Sequence, residues 1–230
     1  MVVRRAKALF RRIRRFVVRL VLLTILFCVG IVVLYRFVNP PLTIHMAGEW
    51  LRLGSIQRQW VPLDDMSDYL PLSAVAAEDA NFCTHVGFDF DGIRAALSDR
   101  SRLRGGSTIS QQVAKNVFLW HGRTWLRKGL EAGFTILIEL IWTKDRILEV
   151  YLNVAEMDEG VFGVQAAAQR YWKMTAADLG PQRSSRLMAV LPDPKRRSPV
   201  AGTSFIRSRG ASIQSGAETI RRDGRAACFL

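Results

Sequence analysis

Residues 17–35, VVRLVLLTILFCVGIVVLY, form an apolar run broken only by Arg19 near its start and softened by Thr24, Cys28 and Gly30. A helix made from this run is apolar on every side and has no face to offer to water. As a helix it is roughly 28 Å long, close to the ~30 Å of a bilayer's hydrocarbon layer. The first 19 residues carry eight Arg and Lys and no acid, whereas Arg36 is the only basic residue in the 15 positions after the run. That asymmetry keeps the N-terminus in the cytoplasm and sends the remainder across. A cleaved signal peptide is the alternative, but its apolar core is shorter and ends in a small-x-small site, which Phe37-Val38-Asn39-Pro40-Pro41 does not supply. The prolines stop the helix. The organisation expected is a basic cytoplasmic segment (1–16), a transmembrane anchor (17–38) and a linker and entry segment (39–68) containing Trp50 and Trp60.

The net charge is +13 and the pI about 10.6, values that raise nucleic acid as a partner. Position excludes it. The basic excess lies in the N-terminal segment and from Arg183 onward, and the body between them is close to neutral. Cys28, Cys83 and Cys228 are odd in number and form no CxxC, so neither a disulfide framework nor a zinc site is expected. His45, His85 and His121 lack the i, i+4 pairing of a helical metal site.

Beyond residue 68 the pattern is helical, and no stretch sustains the alternation of a strand. Residues 71–78 form two turns opened by Pro71, and Asp89 suits the N-cap of a second helix with Ile93, Ala96 and Leu97 facing a core. The loop Arg104-Gly105-Gly106-Ser107-Thr108 leads into a helix over 109–120, where Ile109, Val113 and Val117 make a core stripe beside a polar stripe of Thr108, Gln112 and Lys115. Residues 125–142 carry Arg127, Lys128 and Glu131 in their first turns and an apolar stripe of Leu126, Leu130, Leu137, Ile138 and Ile141. With Glu139 inside it, this segment is too short for a second span and reads as a core helix. Thr143 caps a helix over 144–152 ended by Asn153, and an Ala-rich helix follows over 164–172. From about Pro194 the composition turns to Arg, Ser and Gly, so 195–230 is expected to be a basic, loosely ordered tail.

Chemistry concentrates where the apolar run 72–77 ends in Glu78 and Asp79. A carboxylate brought to an apolar edge has its charged form disfavoured and its pKa raised toward the range of a general base; a solvated turn beside a helix end is the plain alternative. The Gly-rich loop at a helix start offers N–H groups and a positive dipole end to an anion, though such a loop also serves as a simple turn. Arg127 and Glu131, spaced i, i+4, also fit a surface ion pair of little worth. Taken together, two carboxylates and several cations suit displacement at a sugar carbon with a phosphate leaving group.

Four ordered segments now carry a resemblance. They are Glu78-Asp79-Ala80-Asn81-Phe82-Cys83-Thr84-His85-Val86-Gly87-Phe88-Asp89, Gly105-Gly106-Ser107-Thr108-Ile109-Ser110-Gln111-Gln112-Val113-Ala114-Lys115-Asn116, Arg127-Lys128-Gly129-Leu130-Glu131 and Ile147-Leu148-Glu149-Val150-Tyr151-Leu152-Asn153. Over residues 71–194 the chain resembles the peptidoglycan glycosyltransferases. Without an SxxK, SxN and KTG set it is similar to their monofunctional branch, the biosynthetic transglycosylases. The resemblance implies a mainly α, lysozyme-like domain (69–194) behind one transmembrane helix. It also implies an enzyme that transfers the lipid-linked growing glycan to the 4-hydroxyl of lipid II with inversion, releasing undecaprenyl pyrophosphate.

Carried over by position, Glu78 is the base and Glu131 the second carboxylate. Asp79, Phe82 and His85 shape the site. Ser107, Thr108, Gln111, Gln112, Lys115 and Asn116 hold the donor, and Arg123, Arg127 and Lys128 counter phosphate charge. A divalent cation, Mg or Mn, is implied near Asp79 or Glu131, with no organic cofactor. The implied partners are the membrane and other cell-wall synthesis and division proteins, and the implied location is the bacterial inner membrane with the catalytic domain periplasmic. The rival readings are a lytic transglycosylase or lysozyme-type hydrolase, which needs no pyrophosphate site, and a non-catalytic wall-binding scaffold. The chain departs from the pattern at Cys83, where proline is common, and at Gln182-Arg183-Ser184-Ser185-Arg186, which replaces an acidic Ala- and Leu-rich helix.

Overall fold

The computed structural model describes residues 2–90, 92, 94, 106–120, 122 and 124–230, with side chains from residue 9 onward. It divides into an N-terminal unit, Met1–Asn39, and a body, Pro40–Leu230. The first is one helix, α1 (Val2–Phe37), whose portion Leu9–Phe37 is long and apolar enough to cross a membrane. Leu22, Leu23, Leu26 and Phe27 stand exposed on it, a surface that hydrocarbon satisfies and water does not. The hydroxyl of Thr24 donates to Leu20 O at 2.9 Å, so this polar group needs no outside partner.

The body is mainly α, as the periodicity predicts. Its helices are α2 (Ile44–Leu53), α3 (Tyr69–Glu78), α4 (Ile109–Phe118), α5 (Trp125–Ile141), α6 (Lys144–Val154), α7 (Val164–Trp172), α8 (Pro181–Met188) and α9 (Ser204–Arg222). The strands β1 (Gln57–Arg58), β2 (Glu156–Asp158) and β3 (Val161–Phe162) form one small sheet of order β1-β3-β2, with β1 parallel and β2 antiparallel to β3. Helix α6 is central, packing on α3, α4 and α7. Its Ile147, Leu148, Tyr151 and Leu152 are fully buried together with Leu70, Ile109 and Val113, so the expected core stripe of α4 faces inward.

Four expectations give way: Asn153 as a helix stop, the buried face of α5, a loosely ordered C-terminal region and cysteines without a disulfide. Asn153 does not end α6, which runs to Val154. The Asn153 amide accepts from Val61 N–H at 2.9 Å and donates to Val61 O and Glu149 O at 2.8 Å each. With Trp60 donating to Glu149, these bonds fold the entry segment onto the body. An amide that satisfies three backbone groups behaves as a joint and not as a helix stop.

Helix α5 is turned relative to the predicted face. Its buried residues are Arg127, Glu131, Thr135 and Ile138, while Leu126 (70% exposed) and Leu140 (73%) point outward. Of the expected apolar stripe only Ile138 is buried, because the polar i, i+4, i+8 row takes the inner side.

The C-terminal region is ordered. Helix α9 buries Ile206, Gly210, Ile213, Ala217 and Ile220, one continuous stripe, and packs with α8 against α3. A Cβ on Gly210 would stand 3.1 Å from Arg186 Cγ, and one on Gly216 would stand 3.4 Å from Ala76 Cβ. The small residues that look like disorder are those that let helices approach closely. Cys83 and Cys228 form a disulfide, Cα–Cα 5.7 Å, across 145 residues, which no local spacing announces.

Asn153→Ala leaves the Val61 and Glu149 backbone groups without these partners. An unsatisfied buried group costs about 1–3 kcal/mol, so thermal unfolding of the body should move down by roughly 2–12 °C, read by circular dichroism.

Candidate active site

The end of α3, the loop after it and the start of α4 meet through Asp79. This residue follows the last turn of α3 and is buried. Its Oδ1 lies 2.8 Å from His85 Nε2, and its Oδ2 accepts from the Ile109 N–H at 3.0 Å. A carboxylate at the first turn of a helix also meets the positive end of the macrodipole. His85 is held further by Lys144, whose Nζ donates to His85 O at 2.8 Å and to Glu139 at 2.9 Å and sits 4.5 Å from the Phe82 ring centre. Phe82 is fully buried beneath the loop. Asp89 Oδ1 accepts from Gly92 N–H at 2.8 Å, the N-cap the sequence predicts; Ile93, Ala96 and Leu97 lie outside the described residues.

Thr108 is the N-cap of α4. Its hydroxyl accepts from Gln111 N–H and donates to Gly87 O at 2.7 Å, while the Gln111 side chain accepts from Thr108 N–H at 3.0 Å. This capping box fixes the helix start against the loop of Gly87. Thr108 and Gln111 thus build the site from behind. Gln112, one position on, faces the cleft and donates through Nε2 to Glu78 Oε2 at 2.8 Å. Ser107 and Asn116 make no side-chain hydrogen bond among the described residues, and Arg123 is not among those residues.

Glu78 is half-buried, and desolvation raises its pKa above the ordinary carboxylate value. The Gln112 hydrogen bond and the charges of Arg209 and Lys115 act downward, and Asp79 adds to the rise. Lys115, a turn further along α4, is pushed down, first by desolvation. Glu131 and Glu78 hold it up, and Arg127 and Lys128 oppose them. Lys115 therefore feels both carboxylates of the cleft.

Glu131, 3% exposed, accepts from Arg127 Nη1 at 2.7 Å and from Lys128 Nζ; Arg127 Nε donates to Gly122 O at 2.6 Å. This is a buried arrangement, unlike the surface pair the spacing also allows. Its one carboxylate stands among three cations, leaving an excess of positive charge apart from Glu78. Sequence reasoning gives no role to Tyr151, although it lies in the fourth segment. It is fully buried, 3.5 Å from Gln112 Oε1, and burial with the nearby Glu78 and Asp79 charges raises its pKa well above the usual phenol value. Arg209, Glu139 and Lys144 are likewise unforeseen, since only tertiary packing brings them here.

The metal expectation fits poorly at this cleft. Both oxygens of Asp79 and both of Glu131 are already engaged. The group that could hold a metal is His45, Glu49 and Glu156, on α2 and β2, with ligand atoms within 4.8 Å of one another. Lys195 already lies 2.7 Å from Glu49 and 3.5 Å from Glu156.

A family model described as Transglycosylase matches residues 47–217. The chain is 51% identical to a biosynthetic peptidoglycan transglycosylase of Jannaschia sp. (strain CCS1), with 99% of this chain and 95% of that one covered. Its identity to the protein of the same name from Rhodospirillum centenum is 51%, covering 89% and 90%. For the one from Caulobacter vibrioides it is 44%, covering 95% and 96%.

A reaction that needs Glu78 ionised and Lys115 protonated has a bell-shaped pH–rate profile. Its acid limb lies above the usual carboxylate range and its alkaline limb below the usual lysine range. Glu131 raises the Lys115 pKa, so Glu131→Gln should move the alkaline limb to lower pH. A pH–rate series on both proteins with an unmoved alkaline limb would assign that limb to another group.

Proposed function

The chain belongs to the transglycosylase family and is a peptidoglycan glycosyltransferase, and within that activity we propose that Glu78 is the general base and that Lys115, Arg127 and Lys128 receive the leaving pyrophosphate. The observation that carries this reading is the separation of two electrostatic environments. Glu78 is desolvated and hydrogen-bonded to a neutral amide, whereas Arg127 and Lys128 pair with Glu131 and Lys115 feels the charge of both carboxylates. A carboxylate oxygen of Glu78 takes the proton from the 4-hydroxyl of lipid II as the hydroxyl oxygen attacks C1 of the lipid-linked glycan. The bond from C1 to the pyrophosphate oxygen breaks on the opposite side, which gives inversion and frees undecaprenyl pyrophosphate.

Glu131 orients Arg127 and Lys128 and keeps Lys115 charged. Ser107, Gln112 and Asn116 face the donor, while Asp79, Phe82, His85, Thr108 and Gln111 hold the cleft in shape. The family resemblance implies a divalent cation, Mg or Mn. Because each oxygen of Asp79 and of Glu131 already has a partner within the chain, no step is assigned to it, and charge compensation is left to the cations of the chain. Those cations also separate this reading from a lysozyme-type hydrolase, which has no phosphate to receive.

We infer that this chemistry is carried out at the bacterial inner membrane, with the N-terminus in the cytoplasm and the body periplasmic. Two features support it: the charge asymmetry around α1, and the Cys83–Cys228 bond, which persists in an oxidising compartment. The outward Trp125, Leu126, Leu130, Ile136 and Leu140 of α5 give the body its own apolar face toward lipid. Proteins of wall synthesis and division are the partners expected at that surface.

Glu78→Gln keeps the Gln112 contact but removes the base. Lipid II polymerisation by the full chain in detergent should fall by about 10²- to 10⁴-fold with helix content unchanged. Near-normal glycan synthesis by this variant would refute the assignment.

A further inference from the structure

Cys83 lies in the loop on which the site depends, four residues after Asp79 and two before His85. Its bond to Cys228 is one of several contacts by which the C-terminal segment holds this loop. Arg209 Nη2 donates to Ala77 O at 2.9 Å, immediately before Glu78, and Arg225 Nη1 donates to Ala80 O at 3.3 Å, immediately after Asp79. The Phe229 ring lies 6.3 Å from that of Phe82, and both Ala226 and Phe229 are buried. Upstream, Arg221 reaches Asp68 at 2.5 Å and the Tyr69 ring at the start of α3. The C-terminal segment thus touches α3 at both ends. The arginine contacts are single hydrogen bonds from partly exposed side chains, which exchange readily with water. The disulfide alone cannot be exchanged for a solvent contact.

Resting on the reading of Glu78 as base, we propose that Cys83 and Cys228 are positioning residues: their bond holds the loop of Asp79, Phe82 and His85, and with it Glu78, in the geometry for proton abstraction. The chain is then fully active only after these two thiols have been oxidised. In that step a disulfide-carrying thiol oxidase exchanges with the pair. The sulfur–sulfur bond of the donor is reduced to a dithiol, two electrons leave the cysteines, and their two protons end on the donor. A thiol–disulfide exchange reaction therefore precedes glycan transfer in the life of this protein. Reduction would remove no charged group from the cleft and would free the loop that sets the position of Glu78. A displacement of about 1 Å at a reacting group costs up to 10²-fold in rate.

The test uses the full chain in detergent with Cys28→Ser, which leaves Cys83 and Cys228 as the only thiols. Three forms are compared: oxidised, reduced with a phosphine, and carrying Cys228→Ser. For each, kcat and KM for lipid II and the far-ultraviolet circular dichroism are measured at one temperature. Reduction and Cys228→Ser should each lower kcat about tenfold or more, with KM within about twofold and helix content unchanged. Oxidised glutathione should restore kcat to the reduced protein and not to the variant. An unchanged kcat would overturn the proposal, and so would a fall that tracks loss of helix, which would make the bond a staple of the whole fold. An oxidised protein without polymerising activity would refute the reading of the site itself, and the proposal with it.

Discussion

The carboxylate of Asp79 is the point at which separate stretches of chain become one cleft. One oxygen meets His85 and the other the first amide of α4. Removing it would leave a buried imidazole and a helix-start amide without partners, and the end of α3 without its link to α4. Glu78 precedes it directly, so the backbone from which that side chain leaves is held by the hydrogen bonds of its neighbour. Gln112, four residues beyond the capping residue Thr108, then meets Glu78 from the other side. The site is fixed at its back by these hydrogen bonds, although the buried Nδ1 of His85 has no partner among the described residues.

At its front the same cleft divides its charge. The single carboxylate Glu131 is outnumbered by Lys115, Arg127 and Lys128, and the excess stays positive in a partly desolvated place. Burial weakens the protonation of Lys115, and Glu131 counters that tendency. On the proposed reading the second carboxylate preserves a cation's charge, a role that needs no contact with a proton in flight.

How much of this was legible depended on range. The anchor, the mainly α body, α7 and the inward stripe of α4 follow from local periodicity, and the residues brought to the cleft follow from the ordered segments. Helix α5 was misjudged because its apolar row was assigned to a core. An apolar row facing outward and a polar row facing a cleft have the same period. The C-terminal region was misjudged because Gly and Ser signal flexibility in isolation, whereas at Gly210 and Gly216 they allow close helix packing. Tyr151, Arg209 and the partner of Cys83 depend on chain crossings that no window of sequence contains.

The reversed α5 has a dimensional consequence. Its inner row presents Arg127 and Glu131 to the cleft, and its outer row presents Leu126, Ile136 and Leu140. A helix is roughly 10 Å across. Within that width the surface changes from apolar to charged, the same step that exists between the polyprenyl tail and the pyrophosphate of one lipid carrier. On the proposed reading, the carrier keeps its tail among lipids while its headgroup reacts, and the protein need not extract it.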